Sequence, residues 1–115
     1  IVHFNNEGKN LKTYKLQEWI GRQSSGMGLE GLMLMKNGHF LVALEGDTAA
    51  LIEYGPKGDT AIGMSHAENN ILPSTLAFDP PSAKELVPLK AWTFKEPVGS
   101  CRFSDLALAD DGGLY

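Results

Sequence analysis

With Cys101 as its one cysteine in 115 residues, the chain lacks any internal disulfide and any multi-cysteine metal centre. Cys101 itself reads as a small buried residue at a strand start. Positive charge is also scarce: Lys and Arg number 10 against 14 Asp and Glu, a net charge of −4. That is the reverse of the basic face that a phosphate backbone recruits, so no nucleic acid partner is expected. No apolar run approaches the ~18 residues of a membrane helix, so no membrane span is expected. His3, His39 and His66 share no i, i+4 spacing and have no neighbouring ligands, which argues against zinc. His39 directly follows Gly38 and is expected to be exposed on an outer loop. Gly-x-Ser-x-Gly does not occur, which removes the α/β-hydrolase route to esterase chemistry. Ser24-Ser25-Gly26-Met27-Gly28 lacks the lysine and the following helix of a phosphate cradle, so it reads as a flexible link.

What is present is repetition. Apolar residues make up 43%, with 13 Gly and 6 Pro, a globular composition with many turns and short elements. Gly28-Leu29-Glu30-Gly31-Leu32-Met33-Leu34-Met35-Lys36-Asn37-Gly38-His39-Phe40 returns in altered form between Arg102 and Leu114. Each copy runs from an apolar strand into an Asn-Gly or Asp-Gly turn and then into a new apolar strand. Ile1 to Lys9 aligns without gaps to Leu51 to Asp59, and Leu76 to Lys84 is a third copy. In each, an apolar-x-aromatic alternation leads into a four-residue turn, closed by glycine or built on Asp79-Pro80-Pro81. Period-two alternation is the mark of a half-buried antiparallel strand, and the glycine supplies the positive φ of the turn.

Self-similarity of this kind indicates one supersecondary unit used several times. The expectation is an all-β chain of antiparallel four-stranded blades, a partial β-propeller. Residues 1–16 would be the outer hairpin of one blade and 29–64 a complete blade, made of strands 29–35 and 39–45 and a hairpin over 50–64. Residues 71–95 would add a further hairpin, and 103–115 would open a later blade. A short amphipathic helix over Tyr14 to Ile20 is the local rival to a strand followed by a loop. Trp19 and Trp92 are expected as core or blade-packing residues. Ile1 reads as mid-strand and Tyr115 as a strand start, so the chain is expected to be an excerpt.

The residues Gly28-Leu29-Glu30-Gly31-Leu32, Lys36-Asn37-Gly38 and Ala43-Leu44-Glu45-Gly46 resemble a stretch of the esterase-like phytase propellers, and of the related SdiA-regulated proteins. Ser104-Asp105-Leu106-Ala107-Leu108 followed by Asp111 to Tyr115 is similar to the next blade of the same families. The resemblance implies a multi-bladed, often exported protein with Ca²⁺ near a central channel. Glu30 would face the channel mouth, Ser104 would be its counterpart with Asp105 beside it, and Glu45 and Asp47, which otherwise read as a solvated turn around Gly46, would lie on the same rim. These oxygens either bond backbone amides at strand starts or converge on Ca²⁺, which takes six to eight oxygen ligands. Glu30 and Glu45 also have the residue types of an acid–base pair. Two functions follow from the resemblance: a binding or scaffold segment with room for a small-molecule ligand, or a calcium-dependent phosphoesterase. The missing Arg/Lys clamp favours the first. Unpaired blade edges would attract neighbouring blades or drive self-association.

Gly31 to Leu34 with Phe40 to Gly46 also resembles the flavin-binding BLUF core. There the flavin-facing glutamine would fall at Val42, and Gly55-Pro56-Lys57-Gly58 would interrupt the helix that family places after Leu44-Glu45-Gly46.

Overall fold

The computed structural model describes residues 1–19, 28–45, 49–65, 67–72, 79–94, 105–110 and 113–115. Among the described residues, seven strands form two sheets and no α-helix occurs. Strands β1 (Val2–Phe4) and β2 (Asn10–Thr13) make an antiparallel hairpin. Its turn is closed by Gly8 at φ 77, with the Gly8 N–H donating to the Asn5 carbonyl at 3.0 Å. The chain continues through β3 (Lys15–Leu16), β4 (Leu29–Leu34), β5 (Phe40–Leu44), β6 (Ala49–Pro56) and β7 (Glu85–Phe94). These five strands form a sheet of order β3-β7-β6-β5-β4, curled into a half-barrel.

The all-β reading of the sequence therefore stands, with two departures in how strands find partners. Strands β4 to β7 are consecutive antiparallel neighbours, but β3 joins β7 in parallel through Lys15↔Glu85 and Leu16↔Leu86. And β6 pairs with β7, not with the 57–64 segment that the repeat had nominated for a hairpin. The turn at Gly58 does form, at φ 100 with the Asp59 N–H on the Pro56 carbonyl at 3.1 Å. The chain then returns over β6 without a backbone ladder, because β5 and β7 already take both edges of β6. In the place of the rival helix, residues 15 and 16 are strand and 17–19 are irregular.

Turn chemistry explains the β4–β5 hairpin. Asn37 and Gly38 hold φ 59 and 76, the paired positive values of a type I′ turn, which suits the right-handed twist of the flanking strands. Pro88 sits opposite Tyr54, next to a register shift on the β6–β7 ladder. Proline is tolerated there because the ladder is already interrupted.

Both faces of the central strands are covered. Phe40, Val42 and Leu44 of β5 and Ala50, Ile52 and Tyr54 of β6 point to one face, packed with Tyr14, Leu86, Leu16 and Trp19. The Tyr14 and Phe40 rings meet edge-on, with centroids 5.3 Å apart. Leu41, Ala43 and Leu51 point to the other face, under Ile62, Met64, Ile71, Leu106 and Leu114, with Trp92 alongside. Two-sided burial turns every residue of β5 into a core residue, and each large apolar side chain buried in this way stabilises the fold by about 1.5–3 kcal/mol.

Candidate functional site

The second face holds a charged cluster. Glu53 follows Leu51 on that face and lies directly across from Leu41. It is 0% exposed, a position where an ionised carboxylate persists only when its oxygens are bonded. Its partners come from two directions. The ring of His39, on the last residue before β5, places Nδ1 2.6 Å from Glu53 Oε1. The N–H groups of Ile62 and Gly63 donate to Oε1 at 2.8 Å and Oε2 at 2.9 Å. The carboxylate thus holds the returning 57–64 segment over a face of β6, whose two edges are already paired with β5 and β7.

His39 is itself 1% exposed. Its other ring nitrogen, Nε2, lies 3.1 Å from Asp59 Oδ2, and the Asp59 side chain is 44% exposed. A hydrogen-bonded line therefore runs from the interior, through the imidazole, to the surface. Gly55 makes room for it. A Cβ there would fall 2.8 Å from His39 Cδ2, 2.9 Å from Nε2 and 2.7 Å from Leu89 Cδ1. The far side of the returning segment is held by Asn70, whose Nδ2 donates to the Ile62 carbonyl at 2.8 Å and to Glu68 Oε2 at 3.1 Å. The cluster can hold a proton and fix a segment. Asp59 occupies the outward nitrogen, so no substrate group meets it in this arrangement.

The residues nominated from sequence lie elsewhere, at one end of the sheet. Glu30 is the extra residue where the β4–β5 register shifts between Leu29 and Gly31, a bulge position that re-aims a side chain. It is exposed, and its carboxylate folds back over Gly28, where a Cβ would meet Oε1 at 2.7 Å. Glu45 follows β5 at the same end, half-buried, its N–H donating to the Gly28 carbonyl at 3.3 Å. Asp105 is brought close by Gly31: a Cβ on Gly31 would stand 2.8 Å from the Leu106 nitrogen and 3.0 Å from the Asp105 carbonyl carbon. Asp105 Oδ1 accepts from the Leu106 N–H at 2.7 Å. Ser104 lies outside the described residues, as do Cys101, His66 and Asp47. Among the described residues, no three His, Cys, Asp or Glu side chains are grouped to hold a metal ion. The described members of the set that the resemblance implies for Ca²⁺, Glu30, Glu45 and Asp105, are thus not gathered into such a group.

Sequence reasoning missed His39 and Glu53. His39 was expected to be exposed after its turn; instead Gly38 packs against Pro81, so closely that a Cβ on the glycine would stand 2.8 Å from the Pro81 nitrogen, and the imidazole is buried. Glu53 sat in an apolar-x-aromatic alternation that places it on a solvent face, and the second covering layer removes that solvent. The available signal was the run Phe40 to Leu44, apolar at every position, which is a strand covered on both faces.

On the first face, a cleft of about 80 Å³ is lined by Leu16, Trp19, Leu44 and Tyr54, among others, well below the roughly 300 Å³ at which small-molecule pockets begin. Trp19 and Trp92 pack against the two cores as expected. No helix among the described residues is long and apolar enough to cross a membrane. Where the BLUF resemblance implies a helix after Leu44-Glu45-Gly46, residues 49–56 are β6. Set against family models, curated proteins and solved structures, the chain matches none of them.

Proposed function

We propose that the chain is a binding and scaffold module on the phytase-like propeller plan, with β4 to β7 as the blade. One observation carries this reading: an antiparallel four-stranded meander whose central strands are buried on both faces. Antiparallel sheets commonly leave one face to water; in a stacked repeat plan the chain before and after a blade covers both its faces, the places that Tyr14, Leu16 and Trp19 on one side and Leu106 and Leu114 on the other take here. The exposed apolar residues Val2, Phe4 and Leu11 of the β1–β2 hairpin fit contact with a neighbouring blade or a second copy. The end of the sheet that carries Glu30, Glu45 and the Asp105 backbone is the rim where this plan puts a ligand or Ca²⁺.

The test measures turnover of phytate and p-nitrophenyl esters with and without EDTA, together with mass by light scattering. The scaffold reading expects no turnover and a mass above that of one chain. Chelator-sensitive turnover that Glu30→Gln abolishes would replace it with the phosphoesterase reading. A clean monomer without turnover would remove the self-association part.

A further inference from the structure

We infer that residues 57–61 form a strap whose Asp59 side chain is latched to the sheet by the proton on His39, and that this latch opens when that proton leaves, while the Asp59 N–H keeps its bond to the Pro56 carbonyl. The argument starts from donors and acceptors. His39 Nδ1 faces Glu53 Oε1 at 2.6 Å and Nε2 faces Asp59 Oδ2 at 3.1 Å. A carboxylate only accepts, and an imidazole donates from both nitrogens only as the cation. Two bonds on this line need two protons; with one, a single bond survives. Which one survives is decided by burial. Glu53 is 0% exposed and the Asp59 side chain 44%, and leaving a buried carboxylate short of donors costs far more than releasing a solvated one. The remaining proton stays on Nδ1 toward Glu53. The Nε2 lone pair then confronts the Asp59 oxygen, and Asp59 turns to water.

The release is confined to 57–61. The next two amides, Ile62 and Gly63, are bonded to Glu53 independently of the imidazole, and Asn70 grips the Ile62 carbonyl. Other charges near the ring do not compensate. Lys90 of β7 pairs in register with Glu53 but is exposed, its ammonium 5.1 Å from the Trp92 ring centroid. Lys36, in the turn before His39, donates to the Glu68 carbonyl. Asp79, whose carbonyl lies against Gly38, is exposed. Opening the latch uncovers Nε2 of a histidine already oriented by a buried carboxylate, so the device switches an imidazole between a sealed and an open state.

The test follows the ¹⁵N-labelled chain upward in pH until one ring proton of His39 is lost. Long-range ¹⁵N–¹H spectra read the His39 ring, and amide spectra read the strap. The expected result is loss of the Nε2 proton with Nδ1–H retained, and movement of the Asp59, Thr60 and Ala61 signals with the same midpoint. Ile62 and Gly63 hold their positions. In Asp59→Asn, the side-chain amide can donate to the neutral Nε2, so the strap signals are expected to stay in place at high pH. Three results would overturn the inference: retention of the Nδ1–H by neither form, ring titration without movement of the strap, or strap movement that persists unchanged in Asp59→Asn.

Discussion

His39 and Glu53 stand 14 positions apart in the chain and 2.6 Å apart in the folded protein, both inside the core. The contact joins the start of β5 to the middle of β6, and through the Ile62 and Gly63 amides it fastens the segment that covers the second face. Replacing Glu53 by Gln keeps the shape but sets an NH₂ group against donors. The expected cost is about 2–4 kcal/mol, in the range for breaking a buried charge pair or orphaning a buried donor. Urea unfolding of Glu53→Gln checks it, and a change below about 0.5 kcal/mol would show that the carboxylate is not the tie described.

Gly55 is required for space alone, since its φ lies outside the left-handed region. Gly55→Ala drives a methyl into His39 and Leu89, and overpacking of this kind costs about 1–3 kcal/mol. Because both residues use one space, Gly55→Ala and His39→Ala are expected to be non-additive in a double-mutant cycle, by about 0.5 kcal/mol or more.

How far the sequence alone reached can be judged at these positions. The β4–β5 hairpin was legible because Asn37-Gly38 states its turn and the flanking apolar runs state its strands. The expected 29–35 and 39–45 compare with Leu29–Leu34 and Phe40–Leu44. The pairing of β6 with β7 was not legible, since local repetition pointed to a hairpin at 50–64, and a ladder that skips residues 57–84 leaves no short-range signal. Glu53 was hidden by the same limit. Alternation gives the two faces of a strand, but not whether a distant segment such as Ile71 or Leu106 covers the outer one. Glu30 was placed at the start of a strand, where β4 begins, whereas the bulge that exposes it depends on register with Leu44.

Two glycines separate backbone strain from crowding. Gly38 and Gly58 both hold positive φ, at 76 and 100. A Cβ on Gly38 would also meet the Pro81 nitrogen at 2.8 Å and the Asp79 carbonyl oxygen at 2.9 Å, while one on Gly58 meets nothing within 4 Å. Gly58→Ala is expected to cost about 1–2 kcal/mol from conformation, and Gly38→Ala clearly more. Thermal or urea unfolding of the two variants side by side checks the order.

Tyr14 is 2% exposed, and its buried hydroxyl has no hydrogen-bond partner among the described residues. Burial pushes its phenol above the ordinary value of 10.0. The folded state therefore holds the proton more tightly than the unfolded state, so this group's contribution is intact below pH 10.0 and declines as pH rises from there toward the raised folded value. Tyr14→Phe is expected to be as stable as the wild type, or more stable by up to about 1 kcal/mol, because no bond is lost. It is also expected to flatten the alkaline limb of a stability–pH curve; an unchanged limb would assign that limb to other groups.

The blade reading, the double-sided core and the buried cluster all depend on β6 lying between β5 and β7. Cross-strand nuclear Overhauser contacts test that arrangement most directly. Ile52 is expected to show them to both Val42 and Ala91, its register partners on the two sides. Contacts from Ile52 to the backbone of residues 59–64 in place of Ala91 would contradict the arrangement, and with it the four-stranded meander.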